Sequence, residues 1–391
     1  MQKVLILDAN QRSALAATRS LGSKGRGVVT ADETQKTLAG SSKYCKESFI
    51  YPSPYEYAED FIKTVMNECY QRDIKVVLPM TEISAYLILK HRDVFKDIAI
   101  PFGAFEAFDF LSDKWRVFEL AQKLGLPAPR THFVRNGAEI SDSIRQLKFP
   151  VVVKPYRSRI LLDGRWTATS VKYMRSFSEL EVAIKRTEYL RRCPFLVQEY
   201  VQGEGRGIFA LYDQGKPVVF FAHRRLREKP PSGGVSVLSE SIEVDHHLRE
   251  AATKILDYAK WHGVAMVEFK VSSDGTPYLM EVNPRFWGSL QLAVDAGIDF
   301  PDLLYRLAIG EKLDVSNRYK IGTKSRWLLG DLDNLYLTFR SNAGHDMKPV
   351  SKWHTMTQFL NFFDGNSRFE VNRWSDLSPF IFELREYLRH R

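Results

Sequence analysis

The sequence predicts an α/β layer followed by an α+β region, and three observations carry that prediction. Short apolar runs alternate with helical patterns through the first hundred or so residues. From about residue 149 the strands come in pairs joined by tight turns. Beyond about 315 the chain is aromatic-rich and less regular, which suggests an extension whose role is open.

The first layer opens with "KVLIL", an apolar run of the buried-strand kind, and the alanine-rich "QRSALAATRSLG", a helix expected to close on Gly22. "GVVTAD" is a second strand. "SPYEYAEDFIKTVMNECYQ" is helical, with Phe61, Val65 and Cys69 four residues apart. "IKVVLPM", "TEISAYLILKH" and "IAIPFG" then read as strand, helix and strand. The pattern is Rossmann-like, with a parallel sheet covered by helices. The dinucleotide fingerprint is missing, because "LDANQRSA" has no glycine after the first strand.

A helix follows in "SDKWRVFELAQKLGLPAP", with Val117, Leu120, Ala121 and Leu124 on one face. Ser112 or Asp113 caps its start, and Gly125 and Pro127 stop it. Lys114 falls in the first turn, where the helix dipole disfavours a cation. Either it is solvated there or an anion sits beside it. The α+β region then brings strand "FPVVVKP", a strand pair near 165–174, helix "SFSELEVAIKRTEYLRR" and strand "PFLVQEYV". A "GEGRG" turn leads to strands "IFALYD" and "KPVVFFAHRR", joined at Gln214-Gly215. Loop "EKPPSGG", strand "VSVLSESIEV" and helix "HHLREAATKILDYAKWHG" complete the run.

Composition narrows the function classes. The chain has 44% apolar and 26% charged residues, as soluble globular proteins do. No apolar run reaches the roughly 18 residues of a membrane span. Three scattered cysteines give neither a disulfide framework nor a metal spacing, and point to a reducing cytoplasm. The formal net charge of +9 is spread along the chain without a nucleic-acid motif. It suits an enzyme that handles phosphates and carboxylates.

The stretch that demands an explanation is "VAMVEFKVSSDGTPYLMEVNPR". Two apolar runs flank Asp274-Gly275, a two-residue hairpin signal. With that turn Glu268 lies opposite Glu281, and Asn283 shares their face. Like charges in register destabilise a sheet unless something compensates. Lys270 and Arg285 could do so as a salt-bridge network. A hard cation such as Mg²⁺ is the rival, since two carboxylates and an amide are oxygen ligands. In that case Arg285 could contact a phosphate oxygen.

Taken together, "SDKW", "VVVKP", "LVQEYVQGE" and a hairpin ending in "EVNPR" resemble the ATP-grasp superfamily over roughly residues 1 to 310. Within it the chain looks most like predicted carboxylate–amine ligases related to the carbamoyl-phosphate synthase large chain. The resemblance implies a pre-ATP-grasp domain at 1–108, an N-terminal lobe at 109–195 and a C-terminal lobe with a metal site at 196–315. Residues 316–391 form an extension. Lys114 and Lys154 would contact the phosphates of ATP. Gln198, Glu199 and the backbone of Val201 would form the adenine hinge, and Glu204 would hold the ribose. Glu268, Glu281 and Asn283 would bind one or two Mg²⁺, with Mn²⁺ able to substitute. Arg285, together with Lys154, would steady the transferring phosphoryl group.

One departure from the family concerns the loop after Lys154. It is "YRSRILLDGRWTATS", with Gly164 as its one glycine, so Arg157, Arg159 or Arg165 are candidate phosphate donors in place of backbone amides. For the substrate side, Arg225 and Arg227 are candidates to clamp a carboxylate, with Gly233 and Gly234 allowing close backbone approach. "SRWLLGDLDNLY", with Trp327 and Leu329, lines either an amine pocket or plain core.

The implied reaction joins a small-molecule carboxylate to an amine through an acyl phosphate, releasing ADP and phosphate. A phosphotransferase of similar fold and a non-catalytic nucleotide-binding regulator are the alternatives. No nucleic-acid or membrane partner is expected, and the oligomeric state is open.

Overall fold

A computed structural model describes residues 2–140, 142–340, 351–361 and 365–389. The first layer is a four-stranded parallel sheet of β1 (Lys3–Ile6), β2 (Gly27–Asp32), β3 (Glu47–Ile50) and β4 (Ile74–Leu78), in the order β3-β2-β1-β4. Helices Arg12–Ser23, Ala58–Gln71 and Glu82–Lys90 accompany it. Three details differ from the sequence reading. "IAIPFG" makes only a single bridge, Ala99 to Val76, because Pro101 has no N–H to continue a ladder. Conversely, β3 was not anticipated; Phe49 is its one buried side chain, so it carries little periodicity. Gly22 lies inside the helix, where any Cβ would come within 2.6 Å of Tyr44. The chain reverses instead at Gly25, with φ +77°.

A small lobe follows with its own core. Strands β5 (Thr131–Val134) and β6 (Val151–Pro155), hairpin β7 (Arg159–Leu162) and β8 (Arg165–Ala168), then β9 (Lys172–Met174) and β10 (Phe195–Glu199) build it. Its antiparallel sheet has the order β5-β10-β6-β9. Val134, Val151, Val153 and Val197 pack there on Leu180, Ile184 and Leu190. β10 sits between β5 and β6 as far as Glu199, so the boundary expected at 195 falls inside a strand of this lobe.

The large lobe is a seven-stranded sheet in the order β15-β14-β11-β12-β13-β16-β17. Its strands are β11 (Glu204–Asp213), β12 (Lys216–Lys229), β13 (Val235–Ile242), β14 (Gly263–Val271), β15 (Pro277–Asn283), β16 (Lys324–Arg326) and β17 (Ser367–Phe369). "GEGRG" is therefore mostly strand. Gly207 pairs with Glu268, and a Cβ there would lie 2.7 Å from the Phe209 ring. Gln214-Gly215 is the tight turn expected, both residues having positive φ (+46° and +80°).

The β14–β15 hairpin reaches the expected register by a different route. Its loop is longer than two residues: the Ser272 N–H donates to the Thr276 carbonyl, and Gly275 supplies the positive φ of +87°. A bulge restores the count, because Phe269 pairs with Leu279 while Glu268 pairs with Glu281, leaving Met280 unmatched.

The last strands bind the extension to both ends of the molecule. β16 pairs antiparallel with β13 and parallel with β17. Arg19 of the first layer donates to Asp376 and to the backbone of Glu370, Val371 and Asp376. Ser42 donates to Asp376 at 2.7 Å, and Arg373 pairs with Asp295. The core of the first layer and the large lobe is continuous. Among the described residues no helix is long and apolar enough to cross a membrane.

One buried group ties this core to pH. His223 of β12 is 2% exposed, stacks on Phe209 and lies 2.9 Å from Ser289 Oγ. Burial, with Arg225 nearby, lowers its pKa to about 3. Below about pH 6.5 the unfolded chain takes up a proton that the folded chain refuses, so stability falls with pH from that point down to the folded value. From pH 7 to pH 5 this group should cost roughly 2 kcal/mol. Denaturant unfolding of wild type and His223→Gln at the two pH values checks it: the variant should lose correspondingly less, and equal losses would contradict the assignment.

Candidate functional site

The site starts from Glu268 and Glu281, paired across β14 and β15, with Asn283 two residues on. The Asn283 amide donates to Glu281 at 3.0 Å and to Glu268 at 3.4 Å. Its oxygen accepts from Arg285 at 3.0 Å. Each carboxylate has its own cation. Arg225 of β12 lies 2.6 Å from Glu268, and Lys114 lies 3.5 Å from Glu281. The like charges are thus compensated from two directions.

Lys114 opens the helix Lys114–Lys123, whose N-cap Asp113 accepts from the Arg116 N–H. Glu281 answers the question of its unfavourable helix position, supplying the nearby anion itself. Lys114 also donates to Ser158 Oγ at 3.3 Å. Lys154, near the end of β6, reaches across from the small lobe to the Met280 carbonyl at 3.3 Å. Met280 is the bulged residue, so the register adjustment also frees the carbonyl that Lys154 meets.

These contacts split the titrations of the pair. Burial alone would raise Glu281, but Lys114, the Asn283 hydrogen bond and Lys154 outweigh it and hold its carboxyl well below the usual range. Burial raises Glu268 to about 7 even against Arg225, helped by the charge of Glu281. Burial also pulls Lys154 down to about 8, despite Glu281. Two half-buried carboxylates and an amide suit a hard cation in their chemistry. The amide would have to turn its oxygen from Arg285 to the carboxylates, a rotation that leaves its shape unchanged. The donor set fits Mg²⁺ on those terms.

A second recess lies at the hinge. Arg130, Glu199, Tyr200, Val201, Ser272 and Tyr278 are among the residues around a cavity of about 280 Å³. Four residue steps along and just past β14 separate its edge at Ser272 from Glu268, roughly 13 Å at the strand rise. An extended nucleotide could bridge hinge and carboxylates over that span. Gln198 takes no part in the recess. It is 1% exposed and donates to Thr131 within the small sheet. Glu204 does not line it either, and pairs with Arg206 and Arg224.

The substrate residues expected from sequence are used differently. Arg225 is held by Glu268, Glu228 and the Gly234 carbonyl, so it belongs to the carboxylate pair. Arg227 forms two 2.6 Å hydrogen bonds with buried Asp331, which also accepts from Arg326. Their partner lies about a hundred residues downstream, out of reach of local reading. Gly233 and Gly234 serve internal packing: a Cβ would meet Tyr173 Oη at 2.7 Å or the Lys229 carbonyl at 2.3 Å. In the loop after Lys154, Arg157 is committed to Asp109 at 2.8 Å. Arg159 donates to Tyr55 Oη and faces a large cavity of about 920 Å³.

As a cavity it was not anticipated, although Arg159, Arg285 and Trp327 on its walls are all candidates from the sequence. Arg12, Ser158, Arg159, Arg285, Trp327 and Glu383 line parts of it, drawn from the first layer, both lobes and the extension. Leu329, by contrast, is buried core.

Comparison with known proteins bears on the fold. Residues 191–328 match a family model described as ATP-grasp in the biosynthetic pathway with Ter operon. A crystal structure of an L-amino acid ligase from Bacillus licheniformis superposes with a TM-score of 0.63 at 18% identity, covering 81% of this chain and 76% of that one. The chain has the ATP-grasp fold. A biotin carboxylase from Campylobacter jejuni shares that fold, with a TM-score of 0.64 at 16% identity over 83% of this chain and 74% of the other. In sequence this chain is 22% identical to the carbamoyl phosphate synthase large chain of Methanothermobacter thermautotrophicus over 312 residues, 77% of this chain. It spans only 29% of that relative's length. D-aspartate ligase from Enterococcus faecium is 23% identical over 215 residues, 51% of each chain.

The Arg227–Asp331–Arg326 cluster separates a structural role from a substrate role. Asp331→Ala should destabilise the fold by about 3–5 kcal/mol in denaturant unfolding, since it strands two buried guanidinium groups. An unchanged unfolding midpoint would contradict the structural reading.

Proposed function

We propose that the chain is an ATP-dependent carboxylate–amine ligase working through an acyl phosphate. The observation that carries the proposal is the half-buried Glu268–Glu281 pair, flanked by Lys114, Lys154, Arg225 and Arg285, the last of which lines the large cavity. Support also comes from relatives named as ligases of amino acids.

In this reading Glu199 and the Val201 backbone receive adenine at the hinge. Glu268, Glu281 and Asn283 hold Mg²⁺, one ion or two, with Mn²⁺ able to substitute; the metal, when bound, offsets charge on the phosphates. Lys114 and Lys154 lie against the phosphates, where their charges neutralise what builds up as the γ-phosphoryl group moves. Arg285 offers guanidinium donors to the same group.

A carboxylate substrate attacks the γ-phosphorus, and the bond to ADP breaks. The acyl phosphate is shielded from water as the lobes close. The amine, once its ammonium form has given a proton to solvent, attacks the acyl carbon; phosphate leaves, and the nitrogen sheds a second proton as the amide forms.

ADP release from ATP and Mg²⁺, with pooled carboxylates and amines, tests this. ADP should form only when carboxylate is present, and Glu281→Gln should lower the rate on the order of 100-fold. AMP as the product would overturn the phosphoryl-transfer route. A phosphorylated product that survives added amines would favour the phosphotransferase alternative.

A further inference from the structure

The large cavity reaches from Arg285 to the C-terminal helix Ser378–Arg389. Ser158, already joined to Lys114, lines it, and so do Glu383 and Trp327. Arg12, Lys36, Arg159, Arg285 and Arg389 are among the cations on its walls, and Glu383 is a carboxylate that the extension adds to them.

Glu383 is arranged as a receptor. Trp327 Nε1 donates to one of its oxygens at 2.7 Å and orients the carboxylate. Among the described residues that is its one hydrogen bond. The nearest cation, Arg12, is engaged elsewhere: it pairs with buried Glu370, donates to the Ser236 carbonyl and lies 4.1 Å from the centre of the Trp327 ring. Gly288 leaves room for it, since a Cβ there would come 3.2 Å from the guanidinium. Neighbouring Arg389 is paired with Glu386, and Lys229 with Asp333. Burial raises the Glu383 carboxyl to about 6, which still leaves it charged at pH 7.4. A carboxylate with a free oxygen on a cavity wall, with its neighbouring cations already neutralised, suits an incoming ammonium group.

We infer that Glu383, oriented by Trp327, binds the ammonium group of the amine substrate, so that the C-terminal helix forms the acceptor subsite of the cavity. The inference rests on the ligase reading for its biological sense, but the subsite can be tested by binding alone. It gives the extension a function and narrows the acceptor to primary amines that are protonated in solution.

The test is calorimetric titration of the full chain with free L-amino acids, glycylglycine and glucosamine, each beside its N-acetyl counterpart. At least one free amine should bind, and its acetylated form should bind about tenfold or more weakly. Glu383→Gln should weaken the free amine by a similar factor, while Glu383→Asp should retain part of the affinity and Glu250→Gln, on the helix His246–Tyr258 away from the cavity, all of it. Circular dichroism melts of each variant exclude misfolding as the cause. Binding of no amine, equal binding of the acetylated forms, or equal binding to Glu383→Gln would each overturn the subsite. The ligase reading is scored separately, by ADP release with pooled carboxylates and hydroxylamine, which is uncharged at pH 7.5. Absence of that release from wild type would count against the ligase reading and leave the binding result standing.

Discussion

Two carboxylates facing each other across a β-hairpin are the constraint that organises this molecule. Left alone, Glu268 and Glu281 would weaken the β14–β15 ladder. The fold answers with cations from separate elements: Lys114 from a helix that follows the first layer, Lys154 from the small lobe and Arg225 from β12. The site is therefore also a junction, and lobe position and site electrostatics are coupled. A movement of the small lobe would carry Lys154 away from Met280 and alter the balance that holds Glu281 ionised.

The extension contributes a second junction. Its strands lengthen the large sheet, while Glu370 and Asp376 anchor to Arg12 and Arg19 in the first helix. Glu383 then reaches the cavity from a helix that these contacts hold in place. One consequence is that the cavity is walled by segments from nearly the whole length of the chain. Changes in the extension should therefore affect what enters the cavity more than they affect the hinge.

Much of the first layer was legible because a buried strand and a covering helix are local patterns; "GVVTAD" coincides with β2 residue for residue. The carboxylate register was legible too, but through two offsetting departures, a longer loop and the bulge at Met280. Side chains whose roles depend on distant partners were not. Arg227 looks like a free clamp until Asp331 is placed beside it. Gln198 lies in the expected hinge motif, yet strand alternation turns it to Thr131. Glu383 carries no local signal, since its environment is assembled from residues 12, 327 and 370. Covalent spacing shows which residues share a face, and packing decides which of them remain available.

The account stands or falls on whether the carboxylate pair is a metal-dependent nucleotide site. Calorimetric titration of the full chain with ATP, once with excess Mg²⁺ and once with EDTA, measures this directly. The account predicts saturable binding with Mg²⁺, weakened by an order of magnitude or more in EDTA and lost when Glu268 and Glu281 are both changed to Gln. ATP binding of equal strength with and without the metal, or no binding in either condition, would contradict it and leave the pair as a salt-bridge network.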